Sequence, residues 1–113
     1  MAKPASDWLT RWGAIASDGS KGVMGAVDSR ASKKQAERDA ISECKSRGGV
    51  TCSIQLSYYN QCVVTIQGNR TANNTRAATI EEATSIGMQT CTSQGNSDCS
   101  VYYKACSLPV RSR

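Results

Sequence analysis

The sequence predicts an α+β fold: a single antiparallel sheet of about six strands with two helices packed on one face, built from two strand-strand-helix-strand repeats with pseudo-twofold symmetry and held by three disulfides. Three observations predict it. The stretch SECKSRGGVTCS (42–53) returns in outline as QTCTSQGNSDCS (89–100), which aligns Cys44 on Cys91 and Cys52 on Cys99. The same alignment lays Ser32-x-x-Gln35 over Thr79-x-x-Glu82, two capping boxes in which a hydroxyl accepts an orphan helix N–H. Six cysteines accompany a hydrophobic fraction of only 39% and no Phe, and so thin a core calls for covalent support.

Residues 1–11 are expected to be a flexible N-terminal segment, with Trp8 placed to pin it, and 107–113 a C-terminal tail. Residues 12–106 are expected to be a single disulfide-bonded domain, with repeat one at 12–61 and repeat two at 62–106. WGAIA (12–16) and GVMGAV (22–27) read as strands joined by the hairpin turn SDGSK. A helix follows from about Lys33 to Arg47, with Ala36, Ala40, Ile41 and Cys44 on its inner face. Gly48-Gly49 stops it. CSIQLSYY (52–59) alternates as a half-buried strand with Cys52, Ile54, Leu56 and Tyr58 inward.

The second repeat runs through VVTIQ (63–67), the weaker strand TRAATI (75–80), a helix from Ile80 to Ser93 and CSVYYKAC (99–106). Its inner helical positions are Ala83, Gly87, Met88 and Cys91, and Gly95 stops it. Ala and Gly there let a helix lie close on a sheet, because no larger side chain holds it away.

A cysteine ending each helix can reach the one starting the next strand, which gives Cys44–Cys52 and Cys91–Cys99. Each short loop is worth about 2–3 kcal/mol by the loop-entropy relation. Cys62–Cys106 follows by elimination, although six cysteines allow about 15 pairings. Such a framework belongs to an oxidising compartment. MAKPASDWLTRW has no continuous apolar run before a small-residue cleavage site, so the expectation is a periplasmic or secreted chain whose export signal has been removed. No stretch approaches the roughly 18 apolar residues of a membrane span.

The net charge of +5 comes from 14 basic and 9 acidic residues and forms no basic block. No metal is expected: there is no His, and the cysteine spacings are wider than those of structural zinc sites. No cofactor is expected either, because the glycines of SDGSKGVMG match neither phosphate-binding pattern. Without His, a Ser-His-Asp or Cys-His nucleophile is excluded. Glu37, Asp39, Glu43, Glu81 and Glu82 are the carboxylates a glycoside hydrolase would need, but they read as caps, dipole partners or solvated faces. The expectation is therefore no enzyme. Asn69-Arg70-Thr71 and Asn73-Asn74-Thr75 satisfy the glycosylation rule, and their common message is an exposed turn.

The doublets Tyr58-Tyr59 and Tyr102-Tyr103 place one ring on each side of a strand. Tyr58 and Tyr103 are expected inward, with Tyr59 and Tyr102 outward on an open sheet face beside Gln55, Thr65, Gln67 and Lys104. Rigid exposed tyrosines bounded by polar groups suit a protein interface.

WGAIA, the glycine hairpin, the Ala-containing helix ending in Cys and the Cys-led strand resemble a family of small exported bacterial domains, domain of unknown function 4189, over roughly 12–106. The resemblance implies export and attaches no enzymatic activity or catalytic residue. NRTANNTRAATI departs from it, because Gly and aromatic residues would be expected there. The functional expectation is a non-enzymatic binding protein, monomeric when free: a periplasmic immunity protein or inhibitor whose partner is a toxin or cell-wall hydrolase of the bacterial envelope. Nucleic acid, membrane and metal are not partners under that reading. The alternative is a secreted effector that binds membrane or nucleic acid through its positive charge.

Overall fold

A computed structural model describes residues 8–111. The chain divides into two compact units, one running to Asn60 and resuming at Ser107, the other spanning Gln61–Cys106. Each contains strand, strand, helix, strand. In the first, β1 is Trp8–Leu9, β2 Trp12–Asp18, β3 Val23–Arg30, α1 Lys33–Ser46 and β4 Ser53–Tyr59. In the second, β5 is Gln61–Gln67, β6 Ala72–Ala77, α2 Ile80–Ser93 and β7 Ser100–Ser107; β8, Val110–Arg111, belongs to the first.

The strands do not form the single six-stranded sheet expected. They divide among a sheet β3-β2-β4, a sheet β6-β5-β7 and a two-stranded ladder β1-β8. In that ladder Trp8 faces Arg111 and Leu9 faces Val110, with the Arg111 guanidinium 5.1 Å from the Trp8 ring. The remainder of the two expected tails that lies at 1–7 and 112–113 is outside the described residues.

Both helices begin and end as their caps dictate. The Ser32 and Thr79 hydroxyls accept the amides of Gln35 and Glu82, each at 3.1 Å. At the other end Gly48 and Gly95 take φ of +105° and +86°. The next amides, from Gly49 and Asn96, then reach back to the Cys44 and Cys91 carbonyls, which is the Schellman closure.

The two cores are built alike from small residues. Under α1, Ala14 and Ala16 of β2 meet Ala36, Ala40 and Cys44. Under α2, Val64 and Ile66 of β5 meet Ala77, Ala83 and Cys91. Close approach is achieved differently in each unit. A Cβ at Gly25 of β3 would strike the backbone of α1 at Ala40 and Cys44, whereas in the second unit the glycine is on the helix, where Gly87 lies against Ile66.

The expected open sheet face is also corrected. Beyond the helix side, Gly13 and Ile15 of β2 are buried, as are Val63 and Thr65 of β5. WGAIA and CVVTI are near-continuous runs rather than alternating ones, and that is the pattern of strands buried on both faces. The alternation of β4 breaks as well. Ile15 pairs with Leu56 but Ala16 with Ile54, so Gln55 is a bulge. Ile54 packs toward α1, while Leu56 and Tyr58 fall on the far face with their partners Ile15 and Gly13. Tyr58 is buried as expected, on the side opposite to the one expected.

Candidate functional site

The outward rings sit one in each unit. Tyr102 lies in β7, an outer strand of its sheet, and is 63% exposed. Val101 beside it is 43% exposed and Lys104 is open. Neighbours on a strand project from opposite faces, so this part of β7 is uncovered on both sides. Tyr103 is half-buried.

Tyr59 is 50% exposed and faces Trp12 across the β2–β4 ladder, their ring centroids 4.6 Å apart at 36°. Trp12 packs against the alanine core under α1, so Tyr59 lies on the helix side of the sheet, past the edge of helix coverage. Two positions along the same face, the Ser57 hydroxyl donates to Glu37 of α1 at 2.5 Å. The bulge at Gln55 turns Tyr59 to this side.

The remaining expected interface residues separate. Gln55 is exposed at the bulge and donates to the Ser53 hydroxyl at 3.2 Å. Gln67 is exposed at the end of β5 and donates to the Gly68 carbonyl. Thr65 is buried, and its hydroxyl donates to Asn74 Oδ1 at 2.6 Å, so it is removed from the candidate surface. Its position on a central strand decides this. Tyr59 and Gln55 thus belong to one unit, Tyr102, Lys104 and Gln67 to the other.

Two polar residues, Asp18 at the end of β2 and Asn96 after α2, organise the loops. The buried Asp18 accepts the amides of Val50 and Thr51 at 2.8 Å each, with the Ser20 hydroxyl at 2.7 Å and the Ser20 amide at 3.0 Å. The Ser20 hydroxyl first, then the Val50 and Thr51 amides, hold this carboxyl well below the usual carboxylate range against the opposing push of burial. In the second unit Asn96 accepts the amides of Arg70 and Thr71 at 2.8 Å each and donates to the Cys91 carbonyl. Hairpin turn and post-helix loop are therefore joined in both units, with the acceptor on the turn in one and on the loop in the other. The Asp-Gly-Ser sequence was the available signal for Asp18, since such a side chain accepts from residues two ahead.

Glu37, Asp39 and Glu43 have partners in the scaffold. Asp39 takes Arg30 at 2.9 Å, which holds its carboxyl below the usual range, and Glu43 takes Arg47 at 2.9 Å. Glu81 and Glu82 occupy the first turn of α2. Among the described residues no group of three or more Cys, Asp or Glu could hold a metal ion, and no helix is long and apolar enough to cross a membrane. A shallow open depression of about 400 Å³ runs along α2 by Met88, Gln89, Thr92 and Ser93. Asn73, in the second glycosylation triplet, donates its amide to the Gly87 carbonyl at 3.0 Å.

All three expected bridges are present: Cys44–Cys52 and Cys91–Cys99, each with 6.2 Å between Cα atoms, and Cys62–Cys106. The last joins β5 to β7, which are neighbours in their sheet. No curated protein and no solved structure matches this chain. The family described as domain of unknown function (DUF4189) matches residues 12–106, from the Trp12 that opens β2 to the Cys106 that fastens β7. With the hairpin, capped helix and cysteine bridge of that pattern in place, the chain belongs to the DUF4189 family.

Proposed function

We propose that this chain is a non-enzymatic exported binding protein that acts by occupying another protein, most concretely a periplasmic immunity protein or inhibitor blocking a bacterial toxin or cell-wall hydrolase. The observation that carries the reading is β7, where Val101 and Tyr102 are 43% and 63% exposed on opposite faces of an outer strand, with Lys104 open nearby. Exposed Tyr on a rigid element is the kind of residue that dominates protein interfaces. The Cys62–Cys106 and Cys91–Cys99 bridges fasten this strand near both ends, which lowers the ordering cost of binding. Three bridges in a chain of 113 residues also favour an oxidising compartment.

The test is an affinity capture with the oxidised protein from envelope extracts of the source cell, washed at low and high salt. A salt-resistant toxin or hydrolase held by the parent protein and released by Tyr102→Ala supports the reading; retention indifferent to Tyr102 removes it. A second reading, an effector acting through charge on membrane or nucleic acid, is favoured by the exposed Lys33, Lys34, Arg38 and Lys45 along α1. It requires retention that falls steeply with salt and with Lys34→Glu.

A further inference from the structure

We infer that β7 binds its partner by strand addition, taking an extended segment of the partner protein along its outer edge; this rests on the protein-binding reading of β7. An outer strand offers a row of backbone donors and acceptors, and proteins ordinarily spoil such a row with bulges, proline, a short strand or charged side chains, lysine above all. The other outer strands of the two larger sheets show these devices. β3 shifts register near Ser29, whose φ is +61°, and β4 carries the bulge at Gln55. β6 is shorter, at six residues, has Asn73, Asn74 and Thr75 half-buried and carries the charged Arg76. β7 runs eight residues with no proline and no positive φ, and Lys104 is the one such device it carries. Ser100, Val101, Tyr102 and Lys104 are all exposed.

The occupant is a segment of another protein rather than a second copy. Lys104 is the one charged residue of SVYYKACS, so a β7–β7 pair would leave both lysines without an opposite charge. A strand pair of this length also buries far less than the roughly 1,200 Å² of a stable interface; a partner supplies the rest from its own surface. Main-chain bonds then give affinity and side-chain alternation gives selectivity. The segment that fits is extended, with β-branched or aromatic residues against Val101 and Tyr102 and an Asp or Glu across from Lys104.

The experiment pans a phage-displayed library of random 12-residue peptides on the oxidised full chain, its Tyr102→Ala and Lys104→Glu variants and an unrelated disulfide-bonded control. Synthetic peptides from the selected consensus are then followed by amide hydrogen exchange. Near-UV circular dichroism checks that each variant is folded, and Lys104→Glu changes only an exposed side chain should Tyr102→Ala disturb the strand. The expected result is an alternating, acid-containing consensus on the parent and a basic one on Lys104→Glu. Affinity should fall at least about tenfold in Tyr102→Ala, with amide exchange in 100–104 slowed. Peptides lost in Tyr102→Ala that leave those amides unprotected overturn strand addition while the protein-binding reading of β7 stands. Peptides indifferent to both substitutions, or no enrichment over the control, overturn the inference, and indifference overturns the reading of β7 with it. A Tyr102-dependent dimer in sedimentation equilibrium assigns the edge to a second copy and also overturns it.

Discussion

The carboxylate of Asp18 accepts the Val50 amide at 2.8 Å, across 32 residues of chain, and thereby fastens the β2–β3 turn to the loop closed by Cys44–Cys52. Because four hydrogen bonds favour its charged form, its folded-state pKa lies below the unfolded value of about 3.9. Its stabilisation is therefore complete above that value and is lost as pH falls through the folded-state pKa. Urea unfolding of the parent protein and Asp18→Asn from pH 7 to pH 2 checks this. The variant should be less stable at pH 7, and the gap should narrow steadily as pH falls from about 4 to 2. Parallel profiles would show that the charge is immaterial.

Asn96 does the corresponding task with an uncharged side chain, so its contribution should not follow pH. Asn96→Ala removes the acceptor of the Arg70 and Thr71 amides and a donor to the Cys91 carbonyl. Leaving such groups unpaired costs about 1–3 kcal/mol apiece where water cannot replace the partner. A loss of about 2–4 kcal/mol in urea unfolding is expected, equal at pH 7 and pH 4. A loss below about 0.5 kcal/mol would mean that water substitutes for the amide.

How much of this was legible follows from the range of each signal. Caps and stops are local, so Ser32, Thr79, Gly48 and Gly95 gave both helices nearly to the residue. Cysteine spacing gave two bridges, and elimination gave the third without revealing that it links neighbouring strands. The division into separate sheets depends on which strands pair, and no local residue states that. The bulge at Gln55 was equally hidden, because SIQLSYY satisfies simple alternation on its own; only the pairing of Ala16 with Ile54 breaks it. Tyr59 and Tyr102 were correctly read as exposed. Thr65 was misread because alternation assigned it to an open face, whereas β5 is buried on both faces.

The two close helix contacts should respond differently to a methyl group. At Gly25 the added carbon meets backbone of α1, which cannot turn aside, so Gly25→Ala should cost about 3 kcal/mol or more or prevent oxidative folding. At Gly87 the nearest atom is Ile66 Cγ1 at 2.6 Å, on a buried, β-branched side chain rather than on backbone, and alanine raises helix propensity by about 1 kcal/mol. Gly87→Ala should therefore cost about 1–2 kcal/mol, less than Gly25→Ala. Thermal unfolding of the two oxidised variants gives the order, and a reversed order would contradict the packing described for both helices.

The bridges should rank by the chain they close. Cys62–Cys106 spans 44 residues and each of the others 8, so the loop-entropy relation gives about 4 kcal/mol against about 2.5 kcal/mol. Paired Cys→Ala replacement of each bridge, compared by urea unfolding, should place the Cys62/Cys106 variant lowest. Equal losses would mean that the unfolded chain retains structure near Cys62.

Tyr59 and Tyr102 are both exposed, yet only Tyr59 has a ring partner among the described contacts. Removing Tyr59 forfeits stacking on Trp12 worth about 0.5–1.5 kcal/mol beyond its burial, and Trp12 in turn packs on the alanine core that seats α1. Tyr59→Ala should lower the unfolding midpoint measurably and change Trp fluorescence. Tyr102→Ala should stay within about 0.5 kcal/mol of the parent, as surface substitutions do, while weakening partner binding by about 1 kcal/mol or more. The pair of variants separates scaffold from contact surface. A Tyr102→Ala protein that unfolds early and still binds would place that ring in the scaffold and move the contact surface away from β7.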